Sequence, residues 1–476
     1  MKRNKLHLVL ALILSAFVGN AQMVLEYDIE TANTEIALPL AGIVNVSINW
    51  GDGSAVEIVN TIGNKTHTYA TIGTKTVTIN GSLSSYGNSR NSTGNARLTK
   101  VLSWDGLGIT SFSFAFQGAG ILTTVPTALP PSVTNLSCMF LATKSFNHNI
   151  GSWNTEAIKD MSSMFSGATA FNQNIGSWNT GAVTDMSAMF YDATAFNQNI
   201  GGWNTGSVTN MSIMFELATS FNQNIGSWNT GAVKDMSFMF SGAKSINQNI
   251  GSWNTGAVKD MSYMFSGATS FDKNIGGWDT HSVLSMSYMF SGATSFNQNI
   301  GNWIITSVTD MNYMFSGVTL CTENYDAILN GWSTQQVKPT VTFGVGLSKY
   351  SGASSLARAA LINNNGWIIQ DAGLDASGTG FCDQVVVGIE EGSALDALSI
   401  YPNPAIDNLQ VSWSKGTNGE VSYQVYSTNG ALVHTQIEQS ENVINHNLNI
   451  KNLEKGAYVL KIISNDGIAV KSFVKE

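Results

Sequence analysis

Residues 249–273 read NIGSWNTGAVKDMSYMFSGATSFDK, and this 25-residue unit recurs without a slip. Its Met-Phe pair falls at Met139-Phe140, Met164-Phe165, Met189-Phe190, Met214-Phe215, Met239-Phe240, Met264-Phe265, Met289-Phe290 and Met314-Phe315. Its tryptophan keeps the same step from Trp153 through Trp178, Trp203, Trp228, Trp253 and Trp278 to Trp303. A fixed period between about 20 and 50 residues marks stacked repeats, because one such unit cannot bury its apolar face without a neighbour.

Within one copy, residues 175–196, the pattern changes midway. Trp178 and Thr180 alternate with Asn179, which predicts a short strand with one face inward. Val183, Met186, Met189-Phe190, Ala193 and Phe196 are three or four residues apart, which predicts a short amphipathic helix. Asp185 then stands early in that helix, where its charge suits the helix dipole. The asparagines beside the tryptophans (Asn149, Asn154, Asn174, Asn179) are expected to form a ladder from coil to coil.

The pattern I-x-x-W-x-T-x-x-V-x-x-M-x-x-M-F, running over residues 136–371, resembles the BspA-type leucine-rich repeats of bacterial surface proteins, in a Trp/Met-rich 25-residue form. The resemblance implies a leucine-rich-repeat-like solenoid, one short strand and one short helix per coil, flanked by two all-β domains. It implies a surface protein used in adhesion and brings no catalytic residues with it.

The address is legible at the N-terminus. Lys2, Arg3 and Lys5 precede the apolar run of residues 8–17, and Gly19-Asn20-Ala21 ends in small residues, so residues 1–21 are expected to be a secretory signal peptide. Its removal takes the formal net charge from −9 to −12 through the loss of those three cations. An acidic chain with 12% charged residues argues against nucleic acid as a partner. Of three cysteines, Cys321 and Cys382 flank the segment after the last regular repeat; they either pair in an oxidising compartment or remain buried thiols.

Residues 22–100 alternate like strands around the turn Gly51-Asp52-Gly53. The string Trp50-Gly51-Asp52-Gly53, His67-Thr68-Tyr69 and Gly73 to Val77 resembles the PKD β-sandwich, which implies spacing or interaction rather than chemistry. Residues 101–133, with the degenerate Phe114-Ala115-Phe116-Gln117-Gly118-Ala119, read as an N-terminal cap. The array proper spans 134–320, a second cap 321–371, and a Gly/Ser/Asp-rich linker 372–397. Residues 398–476 form an alternating all-β tail. Tyr401, Pro402, Asn403, Pro404, Gly456 and Tyr458 in it resemble the C-terminal sorting domain of the type IX (Por) secretion system. That resemblance implies contact with the secretion machinery, export across the outer membrane and a secreted or cell-surface location.

No nucleophile with a base, no C-x-x-C, H-E-x-x-H or phosphate loop is legible, so the expectation is a protein that is not an enzyme and carries neither cofactor nor metal. Asp52 and His67 read as a turn and strand-end pair. The Asp160, Asp185, Asp235, Asp260, Asp310 column reads as helix-start carboxylates rather than a cation ladder. One position drifts between copies while its neighbours hold, and it becomes aromatic at Phe238, Tyr263, Tyr288 and Tyr313. These four are the candidate partner-binding strip. Asn154, Asn179, Asn204, Asn229 and Asn254 are a second, polar candidate face. The expected function is adhesion or protein–protein interaction with an extracellular partner, with glycan capture or a structural spacer as alternatives.

Overall fold

The computed structural model describes residues 22–87, 93–376, 399–427, 432–464 and 467–476; residues 1–21, expected to be a signal peptide, most of the expected linker and Cys382 lie outside them. The chain divides into two compact units, residues 1–382 and 383–476.

The first unit opens with an antiparallel sheet of β1 (Gln22–Ile29), β2 (Thr34–Asn49), β3 (Glu57–Val59), β4 (Gly63–Tyr69), β5 (Gly73–Tyr86) and β6 (Leu98–Asp105). The order is β3-β2-β5-β1-β6, and β4 pairs with the first half of β2. Alternation does what a period of two requires: Met23, Leu25, Tyr27 and Ile29 all point inward from β1. The core of this sheet is continuous with that of the repeats. The ends of β5 and β6 start the stack themselves, through parallel bridges Ser85 to Ser111 and Lys100 to Thr124.

From there the chain advances by one parallel bridge per repeat: Ser111, Asn135, Asp160, Asp185, Asn210, Asp235, Asp260, Ser285, Asp310. The expected leucine-rich-repeat-like solenoid, with a strand and a helix in each coil, is not what forms. Among the described residues there are two α-helices, α1 (Thr322–Ser333) and α2 (Ser355–Asn365), and both come after the array.

The reason is in the hydrogen bonds. In the copy around Met189, the amides of Met189, Ala193 and Phe196 return to the carbonyls three residues back, closing single turns. The amides of Ala188, Phe190 and Asp192 leave the coil for Ser212, Met214 and Glu216 of the next one. Alternate donors are thereby exported, and the i to i−4 ladder of a helix has nothing to build from. Ala188 (φ 53°) and Asp192 (φ 52°) sit in the left-handed region, which a continuous α-helix excludes. The spacing of three and four in the apolar residues thus records successive tight turns. Likewise the aspartates do not face a helix dipole. Asp185 Oδ1 accepts the Ser187 amide at 2.8 Å, fixing the turn two residues on.

Burial is nevertheless complete on the inner side. Trp178, Trp203, Trp228 and Trp253 stack at 6.4 Å between ring centres and within 4° of parallel. Each of these indoles donates to an isoleucine carbonyl of the preceding coil, 3.1 Å from Trp203 Nε1 to Ile175 O. Phe190 lies on Phe196 at 3.9 Å within a coil and on Phe215 at 5.6 Å in the next. The glycine of N-I-G-x-W is set by close approach: a Cβ on Gly201 would lie 2.5 Å from the Asn224 carbonyl oxygen.

The array is closed by α1, β7 (Thr342–Gly344), α2 and β8 (Ile368–Gln370), with β7 and β8 parallel. Gln335, just past α1, covers the last coil's backbone. Its Nε2 donates to Trp303 O at 2.8 Å and its Oε1 accepts the Ile305 amide at 2.9 Å. Deeper in the cap, Arg358 grips Asp371 with two nitrogens, 2.8 and 3.0 Å.

The second unit is an antiparallel sheet of β9 (Ser399–Tyr401), β10 (Asn408–Ser427), β11 (Leu432–Asn449), β12 (Gly456–Ser464) and β13 (Gly467–Lys475), in the order β11-β10-β12-β13 with β9 on β10. Leu409, Val411, Val421, Tyr423, Val425, Leu460, Ile462 and Phe473 form its core. β10 runs as one long strand with register shifts between Ser412 and Gly419.

Candidate functional site

The drifting position lies one residue before the buried methionine, and the turn there holds it at positive φ in every copy. Cys138, Ser163, Ala188 and Ile213 have φ of 54°, 53°, 53° and 64°; Phe238, Tyr263, Tyr288 and Tyr313 have 58°, 58°, 55° and 56°. Glycine accepts such a backbone without cost, whereas bulky side chains are outliers there. The four aromatics nonetheless occupy it, and they form a column. Phe238 stacks on Tyr263 at 4.4 Å, Tyr263 on Tyr288 at 4.6 Å and Tyr288 on Tyr313 at 4.9 Å. The first three rings are half-buried and Tyr313 is 50% exposed. The Tyr288 hydroxyl titrates above its usual range because of desolvation first, then its neighbours Tyr263, Tyr313 and Asp310. The column presents ring edges and hydroxyls to solvent, while its faces cover one another.

The second candidate face is also continuous and exposed, but its side chains act locally. Asn179, Asn204 and Asn229 each accept the amide two residues on at 3.1 Å. Asn154 and Asn254 do the same toward Glu156 and Gly256. Between coils it is threonine that bonds: Thr180 Oγ1 donates to Asn204 O at 2.9 Å. The asparagine ladder lies elsewhere, in the F-N-Q-N segment. Asn147 Oδ1 accepts the Asn172 amide, Asn172 that of Asn197, Asn197 that of Asn222 and Asn222 that of Asn247, all at 2.9–3.0 Å. The recurrence of Asn after Phe was the available signal. It was outweighed by the more numerous asparagines near tryptophan.

Asp52 and His67 do meet. Asp52 Oδ2 and His67 Nε2 are 2.8 Å apart, and the imidazole lies flat on Trp50 at 4.6 Å. The hydrogen bond from Ser54 and then that from His67 hold the Asp52 carboxyl far below the usual range. A depressed carboxyl contributes stability in full above its unfolded value and loses it as pH falls toward the folded one. Asp52→Asn is accordingly expected to lower the melting temperature at pH 7. The gap to the unaltered chain should close progressively below about pH 4–5. Parallel melts across that window check it, and a gap constant with pH would contradict it. Among the described residues no three His, Cys, Asp or Glu side chains gather as a metal site. Cys321 is disulfide-bonded, and Cys382 lies outside the described residues.

In the second unit Tyr401 pairs with Gln410 of β10, while the chain after it reaches β13. Asn403 Oδ1 accepts the Val474 amide at 2.8 Å, and the Ala405 amide donates to Val474 O at 2.7 Å. Gly456 pairs with Lys475 and Tyr458 with Phe473 in the β12–β13 register. Tyr458 donates its hydroxyl to Glu454 O at 2.8 Å, while Tyr401 is 48% exposed. Both Tyr401-Pro402 and Asn403-Pro404 peptide bonds are cis.

A stack of single-bridge repeats followed by a separate β-sheet tail defines a repeat protein with an all-β C-terminal domain. Three overlapping segments, residues 110–226, 174–272 and 244–344, match the family described as Mycoplasma protein of unknown function, DUF285. Residues 399–476 match the secretion system C-terminal sorting domain. No curated protein matches the chain. The chain thus carries a DUF285 repeat region and a sorting tail that marks it for secretion or cell-surface export by the secretion machinery.

Proposed function

We propose that the repeat region is a non-enzymatic interaction surface, displayed outside the cell, whose aromatic column docks a protein partner. The observation that carries this is the column itself: four large rings kept at a backbone position that disfavours them. Residues in sparsely populated backbone regions persist only where the surrounding structure over-determines them, and they cluster at functional sites. Ring edges with hydroxyls suit a protein partner, since tyrosine is enriched in such interfaces. The likeness of the 25-residue unit to BspA-type surface repeats, and of residues 22–100 to PKD modules, supports the same reading. The sorting tail supports export through the type IX route, with residues 1–21 as signal peptide and the outer membrane crossed on the way.

Glycan capture is the second reading, favoured by the exposed Asn154, Asn179, Asn204, Asn229 and Asn254 column. A pyranose stacks on the face of an aromatic ring, however, and inside the column those faces are already taken.

The test is a binding screen of the secreted chain against extracellular-matrix proteins and polysaccharides. It is paired with a Phe238→Ser, Tyr263→Ser, Tyr288→Ser variant. Serine occupies this same turn position at Ser163, so the backbone tolerates it. Loss of interface anchors typically costs at least about 2 kcal/mol, so a protein hit should weaken at least about tenfold. Binding unchanged in the variant would overturn the column's role. A polysaccharide hit would favour the second reading, and silence throughout would leave a spacer.

A further inference from the structure

We propose that the outward face of Tyr313 is a receptor site for one aromatic ring, supplied by a phenylalanine or tyrosine of the partner; this rests on the protein-docking reading above. Tyr263 and Tyr288 each have a ring on both sides, and Phe238, Tyr263 and Tyr288 lie within 6–7° of parallel. Tyr313 ends the series. It is tilted 27° from Tyr288, which is its one ring neighbour among the described residues.

The backbone beyond the last repeat keeps the outer face of Tyr313 open. The residue against its backbone is Gly344, where a Cβ would lie 2.7 Å from Tyr313 N. Gly346 has φ +60°, and a Cβ there would meet Phe315 O and Val318 O at 2.4 Å. Backbone proximity alone forbids side chains at both positions, and the result is a notch. It measures about 160 Å³ and is lined by Tyr313, Ser316, Gly344, Gly346 and Gln370. A cavity of about 150 Å³ takes up benzene, so the volume matches one six-membered ring. Its lining holds one ring and two glycines, and the side-chain polar groups are Ser316, Gln370 and the Tyr313 hydroxyl. That suits a phenyl or phenol better than a sugar ring, whose many hydroxyls each need a partner. A ring seated there would extend the column by one stacked member.

The probe is p-cresol, titrated into the full chain and monitored by saturation-transfer NMR, with methyl β-glucoside as the comparison ligand. Saturable p-cresol binding in the millimolar range is expected for so small a ligand. Tyr313→Ala, which removes the platform, and Ser316→Trp, which fills the notch, should each weaken it at least about fivefold. Ile43→Ala, at an exposed position of β2 outside the column, should leave it unchanged. Melting curves establish that each variant is folded. Absent saturation, equal binding by both notch variants, or preferential binding of the glucoside would each overturn the proposal. The serine variant of the column retains Tyr313, so the partner screen and the p-cresol titration can fail independently.

Discussion

Trp203→Ala is expected to destabilise the first unit by about 3–5 kcal/mol, the range for emptying a fully packed aromatic site. Trp203 is 3% exposed and stacked between Trp178 and Trp228, with Phe190 at 6.2 Å on its flank. The indole buries about 150–250 Å², which at about 25 cal/mol per Å² is about 4–6 kcal/mol and covers that range, since alanine keeps part of the contact. Removing its N–H also takes from the Ile175 carbonyl one of its two donors, at 3.1 Å, and leaves it the Trp178 amide at 3.2 Å. Position matters as well as area. Each repeat touches only its neighbours, so a fault at Trp203 weakens both junctions of a middle coil and uncouples the two halves of the array. Trp203→Phe separates the contributions: it keeps most of the stacked area and loses the donor, so it should cost only about 1–2 kcal/mol. The urea midpoint and the slope of the transition measure both. A Trp203→Ala midpoint within about 0.5 kcal/mol of the unaltered chain would contradict the stacked-core account.

The cap offers the second large effect. Arg358→Met should cost about 3–5 kcal/mol by leaving the Asp371 carboxylate buried without its counter-charge. The Asp371 side chain is 3% exposed. Besides Arg358 it accepts the Tyr325 hydroxyl at 2.6 Å and the Gly373 amide at 3.2 Å. Those neutral donors remain in the variant but do not balance a charge. Burial, and then Asp371, pushes the Tyr325 hydroxyl far above its usual range, so it stays a donor at all ordinary pH. Arg358 also lies over the Tyr350 ring at 5.1 Å, a contact that methionine partly retains. Changing Arg358 and Asp371 together to Met and Leu should recover much of the loss, because an apolar pair leaves no buried charge. Unfolding midpoints of the single and double variants decide it; a double variant no better than the single would show that packing, not charge, sets the cost.

The helix expectation failed for an instructive reason. Val183, Met186, Met189 and Ala193 have the spacing of a helix face, and a single copy offers nothing against that reading. Positive φ at Ala188 is invisible in an alanine, and at Asp192 in an aspartate. The Gly167, Gly242, Gly267, Gly292 and Gly317 column carried the signal, since all five adopt φ between 67° and 73°. Read across copies rather than along one, that column marks a turn. The aromatic column was legible from its phase, and its stacking is a consequence of the period. The notch at its end was not legible, because Gly344 and Gly346 lie outside the regular repeat and reach Tyr313 only through the fold.

The sequence by itself determined the periodicity, the residues that face inward, the tail and its motif. Each is a matter of spacing along one chain, and spacing survives without coordinates. Only the tertiary structure decided that the coils are built from turns and single bridges. A backbone amide chooses between its own coil and the next according to what lies within about 3 Å. The same proximity assigned the inter-coil ladder to Asn147, Asn172, Asn197 and Asn222, and left a notch beside Tyr313. Those outcomes depend on which backbones come together, and a one-dimensional pattern does not contain that information.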